Sequence, residues 1–299
     1  MKRWLLVIRA PFLLLALILA FLGASIAWYE GNYNFGYALL AGLGLVLTHI
    51  SVNVLNEYFD FKSGVDLKTN RTPFSGGSGA LPSGMVTAKQ ALWLGSVTLL
   101  AAVPIGIFFI LAVESGWQLL PLLLVAASCV VLYTPVILKR NWPEWAPGVG
   151  LGILPVLGAY FVQTGDYTLP ALIASVPSGI LVHNLLFLNE FPDVEADKTA
   201  NRRTLPITIG KKKAGVIYSI MTVFVYIWIA GGVIVGKMPV FSLIALLTLP
   251  FAVKAIQGAL HPGEISKMAP AQASNAMVVL LTQFLLGGGY ILARVFEAV

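Results

Sequence analysis

The sequence predicts an all-α integral membrane protein of about nine transmembrane helices around a central cavity, with cytoplasmic loops capping a site. Three observations predict it. Of 299 residues, 58% are hydrophobic and only 11% charged, whereas a soluble domain carries about a quarter charged residues. The apolar residues fall into runs of roughly 20, the length that crosses a ~30 Å hydrocarbon core. Charges collect in the links between runs, and basic residues collect in alternate links, as the positive-inside rule requires.

The first run, residues 10–29, follows Lys2, Arg3 and Arg9. It is longer than the ~7–15-residue apolar core of a signal peptide and reads as the first span. Further runs follow at 35–56, 88–112, 119–137, 147–164, 169–188, 213–235, 241–257 and 272–293. With the N-terminus inside, 17 of the 19 basic residues fall on the cytoplasmic side; only Lys237 and Arg294 do not. The outside links 30–34, 113–118 and 236–240 are short, and the inside links 57–87 and 189–212 are long and polar. Long loops in compact proteins are functional or disordered. The expectation is a multi-pass cell-membrane protein whose N-terminus and active site face the cytoplasm. The net charge of +6 has no soluble domain to present it to nucleic acid, so no such partner is expected. Cys129 is the only cysteine, which excludes an internal disulfide and a cysteine metal cluster; it reads as a packing residue.

Two inside links open on near-identical acidic pentads, Asn56-Glu57-Tyr58-Phe59-Asp60 and Asn189-Glu190-Phe191-Pro192-Asp193. Four spans separate them, so they point the same way across the membrane. The chain then reads as a single domain, 1–299, with a two-part parallel repeat at about 10–140 and 147–293 and the pentads facing each other across a shared cavity. Asn56 and Asp60 lie on one helix face, about 6 Å apart along the axis. Gly64 permits a turn that folds Asp66 back. The second cluster continues the spacing of four through Asn189, Asp193 and Asp197, and Pro192 predicts a kink or break there. Glu57 and Glu190 turn about 100° away from these positions, which leaves their part in metal binding open.

Capped, solvated helix ends account for any one of these acids, but less well for the pair, since cytoplasmic helix ends favour Lys and Arg. Asp and Asn oxygens are hard ligands, and Mg²⁺ binds through one or two carboxylates together with substrate phosphates. Two facing clusters therefore predict two Mg²⁺ ions with a diphosphate between them. His49, His183 and His261 lack the spacing of a zinc site; His49 and His183 read as helix-packing residues, with a place on the cavity wall as the alternative. Arg9, Lys62, Lys68, Arg71, Lys139, Arg140, Lys198, Arg202 and Arg203 belong to the same face. They suit an anionic ligand and, equally, lipid headgroups. Arg71 opens the Gly/Ser-rich stretch RTPFSGGSGALPSG, whose glycines read as a tight loop or a short lid over the site. A transporter shares intramembrane acids and broken helices, but its site lies near the midplane rather than at one face.

These residues resemble those of the UbiA-type intramembrane prenyltransferases. The family's first box, Asn-x-x-x-Asp-x-x-x-Asp, corresponds to NEYFDFKSGVD with Asn56, Asp60 and Asp66; the second, Asp-x-x-x-Asp, to NEFPDVEAD with Asp193 and Asp197 after Asn189. Arg9-Ala10-Pro11, Tyr133 with Lys139, and RRTLPITIG from Arg202 are similar too. Asp66 stands six rather than four residues after Asp60, a spacing similar to the branch that prenylates 1,4-dihydroxy-2-naphthoate on the way to menaquinone. The resemblance implies a prenyltransferase that uses a polyprenyl diphosphate and this aromatic acceptor to give demethylmenaquinone. It implies that Asn56, Asp60, Asp193 and Asp197, with Asp66 and Asn189, hold two Mg²⁺ ions. Arg9, Arg71 and Lys139 would contact the diphosphate, with Lys62, Lys198 and Tyr133 also at the substrate, and Tyr58, Phe59 or Tyr133 would face the developing cation. 4-Hydroxybenzoate, homogentisate, haem or an ether-lipid glycerol are the acceptors of related enzymes.

Overall fold

Apolar runs of this length satisfy their backbone in lipid by forming α-helices, and the computed structural model of the chain, which describes residues 2–69, 71–263 and 265–296, is all-helical among those residues. Among the described residues, eight helices are long and apolar enough to cross a membrane: α1 (Ala10–Tyr29), α2 (Phe35–Ser63), α3 (Ala88–Ala112), α5 (Trp145–Thr164), α6 (Leu169–Thr199), α7 (Lys211–Ile234), α8 (Val240–Leu260) and α9 (Lys267–Phe296). The fourth expected span forms a shorter apolar helix, α4 (Gly116–Leu132). A short helical turn, Lys2–Val7, precedes α1.

Local chemistry sets the helix ends. Asn34 caps α2 by accepting from the Tyr37 amide at 3.1 Å. Thr87 and Gln90 form a reciprocal capping box at the start of α3, which satisfies two otherwise orphaned groups. α2 stops at Gly64, whose φ of 76° is a left-handed conformation that glycine adopts without strain. Two helices outrun their expected spans: α2 reaches Ser63 rather than 56, and α6 reaches Thr199 rather than 188. Both acidic clusters are therefore helical. The break expected at Pro192 is absent, because α6 continues through it. Proline removes one amide donor there, but Phe187, Leu188 and Phe191 just before it are buried against Tyr218, Ala255, Ala259 and Met268. That packing outweighs one lost hydrogen bond.

α6 is the axis of the bundle: 72% of its most apolar stretch is buried, against 17% in α3. It packs on α5, α7 and α9, while α2 pairs with α3 and α1 with α5 and α9. Small residues make the close contacts. A methyl group on Gly215 would strike the Ala259 carbonyl, and one on Gly258 would strike Ala271, so α7, α8 and α9 approach backbone to backbone. Within α5, residues Val149–Ile153 form a π-helical turn. Its Gly152 lies 2.7 Å, by an added Cβ, from the Gly179 Cα of α6. Large side chains on the outside, such as Leu111 and Ile234 at 81% and 83% exposure, face the lipid.

A buried polar network ties three helices. Asn275 of α9 donates to the Asn184 carbonyl of α6 at 3.0 Å and accepts from the Tyr218 hydroxyl of α7 at 2.9 Å. Asn184 in turn donates to Thr222 at 3.0 Å. At the opposite end from the acidic clusters, the Tyr160 hydroxyl donates to Glu30, joining α5 to the end of α1. Replacing Asn275 by Leu takes the partner from the buried Tyr218 hydroxyl and is expected to destabilise the bundle by about 1–3 kcal/mol. Denaturant unfolding in detergent measures this, with Phe284→Leu on the exposed face of α9 as the near-neutral control.

Candidate active site

The extended ends of α2 and α6 deliver the two pentads to the mouth of one cavity. This cavity, of about 320 Å³, runs among α2, α3, α4, α5 and α6. Its deep part is apolar, lined by residues such as Leu45, Phe109, Leu122, Leu154 and Val162. Its polar end carries eight of the residues singled out from the sequence: Arg9, Asn56, Asp60, Asp66, Tyr133, Asn189, Asp193 and Asp197. His49 and Cys129 line it as well. His183 does not; its ring accepts from the Trp142 indole at 2.9 Å, a packing role.

The acids are held in three different ways. Glu57 is fully buried and its oxygens are saturated. They accept from Arg9 Nε at 2.8 Å, the Ser78 amide at 2.7 Å and the Ser78 hydroxyl at 2.8 Å. Asp60 and Asp197 both bind the guanidinium of Arg202, Asp197 at 2.8 Å. Asp66, Asn189 and Asp193 each keep a buried side-chain oxygen with no hydrogen-bond partner: Oδ2, Oδ1 and Oδ1 respectively. Asn56 donates to Thr134 at 3.0 Å, which aims its carbonyl oxygen toward Arg9.

The two pentad glutamates part company. Glu57 serves as a latch: through Ser78 it pins the Gly/Ser segment, whose Phe74, Ser75, Gly76 and Gly77 form one wall of the cavity. The Gly76 amide donates to Asp193, and Gly77 lies so close to Asp66 that an added Cβ would come within 2.8 Å of its carboxylate. Glu190 instead lines the cavity, with its Oε2 lacking a hydrogen-bond partner. Glu144 accepts from the Leu205 amide at 2.6 Å, which anchors the segment after α6.

The remaining expected contacts lie elsewhere. Arg71 packs its guanidinium against Gly79 and reaches the Asp66 carbonyl at 3.5 Å. Lys62 is exposed on the outer face of α2. Lys139 and Lys198 line a separate shallow pocket of about 840 Å³ with Arg140, Arg202 and Arg203, and Lys198 pairs with Glu195 at 2.8 Å. Two residues of the site went unassigned in the sequence reading, Arg202 and the latch Glu57. The signal for Arg202 was its position five residues after Asp197, one turn beyond an acidic stripe.

Electrostatics single out the orphaned oxygens. Burial, and then the charges of Asp60 and Glu57, push the Asp66 carboxyl up to about 7. Burial alone would lower the Arg202 guanidinium, but Asp60 and Asp197 outweigh it and hold the group above its ordinary value. Among the described residues no three His, Cys, Asp or Glu side chains form a ready-made metal cage; Arg202 occupies two of the acids. Hard oxygen donors without partners, in a mouth that is short of positive charge, are nonetheless what a divalent cation with a phosphate ligand requires.

The UbiA prenyltransferase family matches this chain over residues 12–289. The 1,4-dihydroxy-2-naphthoate octaprenyltransferase of Bacillus subtilis is 30% identical over 247 residues, covering 82% of this chain and 78% of that protein. A UbiA homologue from Aeropyrum pernix has the same fold, with a TM-score of 0.68 at 18% identity over 94% of this chain and 98% of its own. A UbiA homologue from Archaeoglobus fulgidus bound to DMAPP and Mg²⁺ gives 0.63 at 12% identity, over 95% and 99%.

Two measurements check the electrostatics and the latch. The Asp66 carboxyl is raised from the ordinary carboxylate value of 3.8 to about 7, so the folded state binds the extra proton between those values and stability falls as pH rises through that window. Asp66→Asn removes this fall. In EDTA at pH 8 the variant is expected to be more stable by about 1–3 kcal/mol, with the difference closing towards pH 4, as read from thermal melts in detergent. Glu57→Gln weakens charge-assisted bonds worth about 1.5–3 kcal/mol, so amide exchange at Ser78 and its neighbours is expected to rise roughly tenfold or more. Unchanged exchange would remove Glu57 as the latch.

Proposed function

The chain belongs to the UbiA prenyltransferase family, and on that premise we propose that it transfers a polyprenyl group from a polyprenyl diphosphate to 1,4-dihydroxy-2-naphthoate, releasing diphosphate. The observation that carries this reading is the convergence of both acidic clusters on one mouth, with partnerless oxygens on Asp66, Asn189 and Asp193. The naphthoate acceptor is supported by the Bacillus subtilis relative, whose name states that substrate, and by the spacing of Asp60 and Asp66 in YFDFKSGVD.

In this reading Asn56, Asp60, Asp66, Asn189, Asp193 and Asp197 hold two Mg²⁺ ions, the ion named with the Archaeoglobus fulgidus homologue. The donor set fits: all six are hard oxygen ligands, and three of them have oxygens to spare. When bound, Mg²⁺ neutralises charge growing on the leaving diphosphate. Arg9, already at the mouth through Glu57, and Arg71, Lys139, Lys62 and Lys198 around it add positive charge for the diphosphate as it enters and leaves. The apolar depth of the cavity takes the isoprenoid chain and keeps water from the allylic cation, and the Tyr133 ring, lining the same wall, offers that cation its face. The allylic C–O bond breaks with its electron pair going to the diphosphate. A ring π pair forms the new C–C bond at the carbon bearing the carboxylate. Loss of carbon dioxide returns its bonding pair to the ring, giving demethylmenaquinone in its quinol form.

The basic residues of the links further support nine crossings around a central, loop-capped cavity, with the N-terminus and the mouth on the cytoplasmic side. Asp60→Asn and Asp193→Asn are each expected to lower kcat by at least ~100-fold, since charge stabilisation in the transition state is lost, while membrane insertion is unchanged. A product assay read by mass, with one long-chain prenyl diphosphate and a panel of acceptors, tests the substrate. Prenylated naphthoate short of one carbon dioxide is expected. Product from 4-hydroxybenzoate or a glycerol ether lipid alone would overturn the acceptor assignment.

A further inference from the structure

Arg202 touches both acidic clusters. It follows α6, just past Asn201, a non-glycine residue in the left-handed region at φ 56°. Its backbone is fixed on both sides. The Arg202 amide donates to the Asp197 carbonyl at 3.2 Å, the Arg203 amide to Leu138 at 3.0 Å and the Leu205 amide to Glu144 at 2.6 Å. With the chain pinned in this way, the side chain turns inward. One guanidinium nitrogen meets Asp197 Oδ1 at 2.8 Å and the other meets Asp60 Oδ1, with the arginine side chain only 12% exposed. Two anionic helix ends, from the first and second halves of the chain, are thus joined by one charge.

Arg202 also borders the outer basic pocket with Lys139, Arg140 and Arg203. Arg140 and Arg203 have no acidic partner among the described residues. Arg202 therefore stands between an inner site rich in oxygen donors and an outer one rich in positive charge. A long, flexible side chain on a fixed backbone can change sides without refolding anything.

We propose that Arg202 is a resident counter-cation of the clamp: it binds Asp60 and Asp197 through the oxygens that a divalent cation would take, and the two compete for them. Entry of the cation with its diphosphate frees the guanidinium, which then pairs with phosphate oxygens from the outer side, where Arg forms strong bidentate bonds. The inference rests on the reading of Asp60 and Asp197 as metal ligands. A purely structural Arg202, one that only fastens α2 to α6, makes the opposite prediction: its loss loosens the clamp and weakens metal binding.

The probe is Mn²⁺, titrated by the EPR signal of the free ion into the purified full-length protein, with no prenyl diphosphate present. In Arg202→Gln the dissociation constant is expected to fall by at least roughly tenfold, because one positive charge leaves the vicinity of two carboxylates. The EDTA melting temperature should drop and Mn²⁺ should restore it. Inorganic diphosphate, added with saturating Mn²⁺, should bind more weakly than to the wild type. Unchanged or weaker Mn²⁺ binding in a variant that still melts cooperatively overturns the proposal. If Arg202→Gln does not fold, Arg202→Lys replaces it: a point charge cannot bridge both carboxylates as the fork does, so a tightening of a few fold (about threefold) is expected, and none overturns the proposal. Mn²⁺ binding by the Asp60→Asn/Asp193→Asn protein equal to wild type would overturn the metal-clamp reading itself, and the competition with it.

Discussion

The burial of anionic oxygens at the mouth of an apolar cavity is the constraint on which the rest of this structure depends. An ionised carboxylate removed from water costs several kcal/mol unless it is paired or hydrogen-bonded. The chain meets that cost unevenly. Glu57 is saturated by Arg9 and Ser78, Asp60 and Asp197 share Arg202, and Asp66, Asn189 and Asp193 retain partnerless oxygens. This gradient separates side chains whose oxygens are already paired within the protein from those that keep an oxygen free.

The bundle geometry serves that mouth. α2 and α6 carry their helical hydrogen bonding past the apolar runs, so acids spaced by four stay on one face and are placed by rigid elements rather than by loops. α6 stays helical through its second cluster, held by packing around Phe187 and Phe191 and by the Asn184–Tyr218–Asn275 network. The Gly/Ser segment then closes over the ends, with Glu57 as its tether. The pentad therefore has two jobs in its first copy: Asn56 and Asp60 face the cavity, and Glu57, one residue on from Asn56, holds the wall.

A prenyl transfer needs both halves of this cavity. Its apolar depth protects a cation that water would destroy, and its polar end disperses the charge of a leaving diphosphate. Arg202 borders both this polar end and the basic pocket outside it.

The amino-acid sequence by itself determined the class of fold, because hydropathy and run length decide whether a segment crosses lipid whatever its neighbours are. It also singled out Asn56 with Asp60, and Asn189 with Asp193 and Asp197, since a spacing of four puts each set on one helix face before any packing is known; Asp66 entered only through the turn at Gly64. Other features were decided only by the tertiary structure. Pro192 reads locally as a break, yet long-range burial keeps α6 whole. Glu57 and Glu190 occupy the same place in their pentads, yet one meets Arg9 and Ser78 and the other keeps a partnerless oxygen on the cavity wall. Arg202 is one of nine basic residues on its face. Only the backbone bonds to Leu138 and Glu144, contacts some 60 residues away along the chain, turn it toward the acids. Periodicity carries the partners within one helix, whereas the partner of a charge across the bundle depends on how helices pack, and that is written in no local pattern.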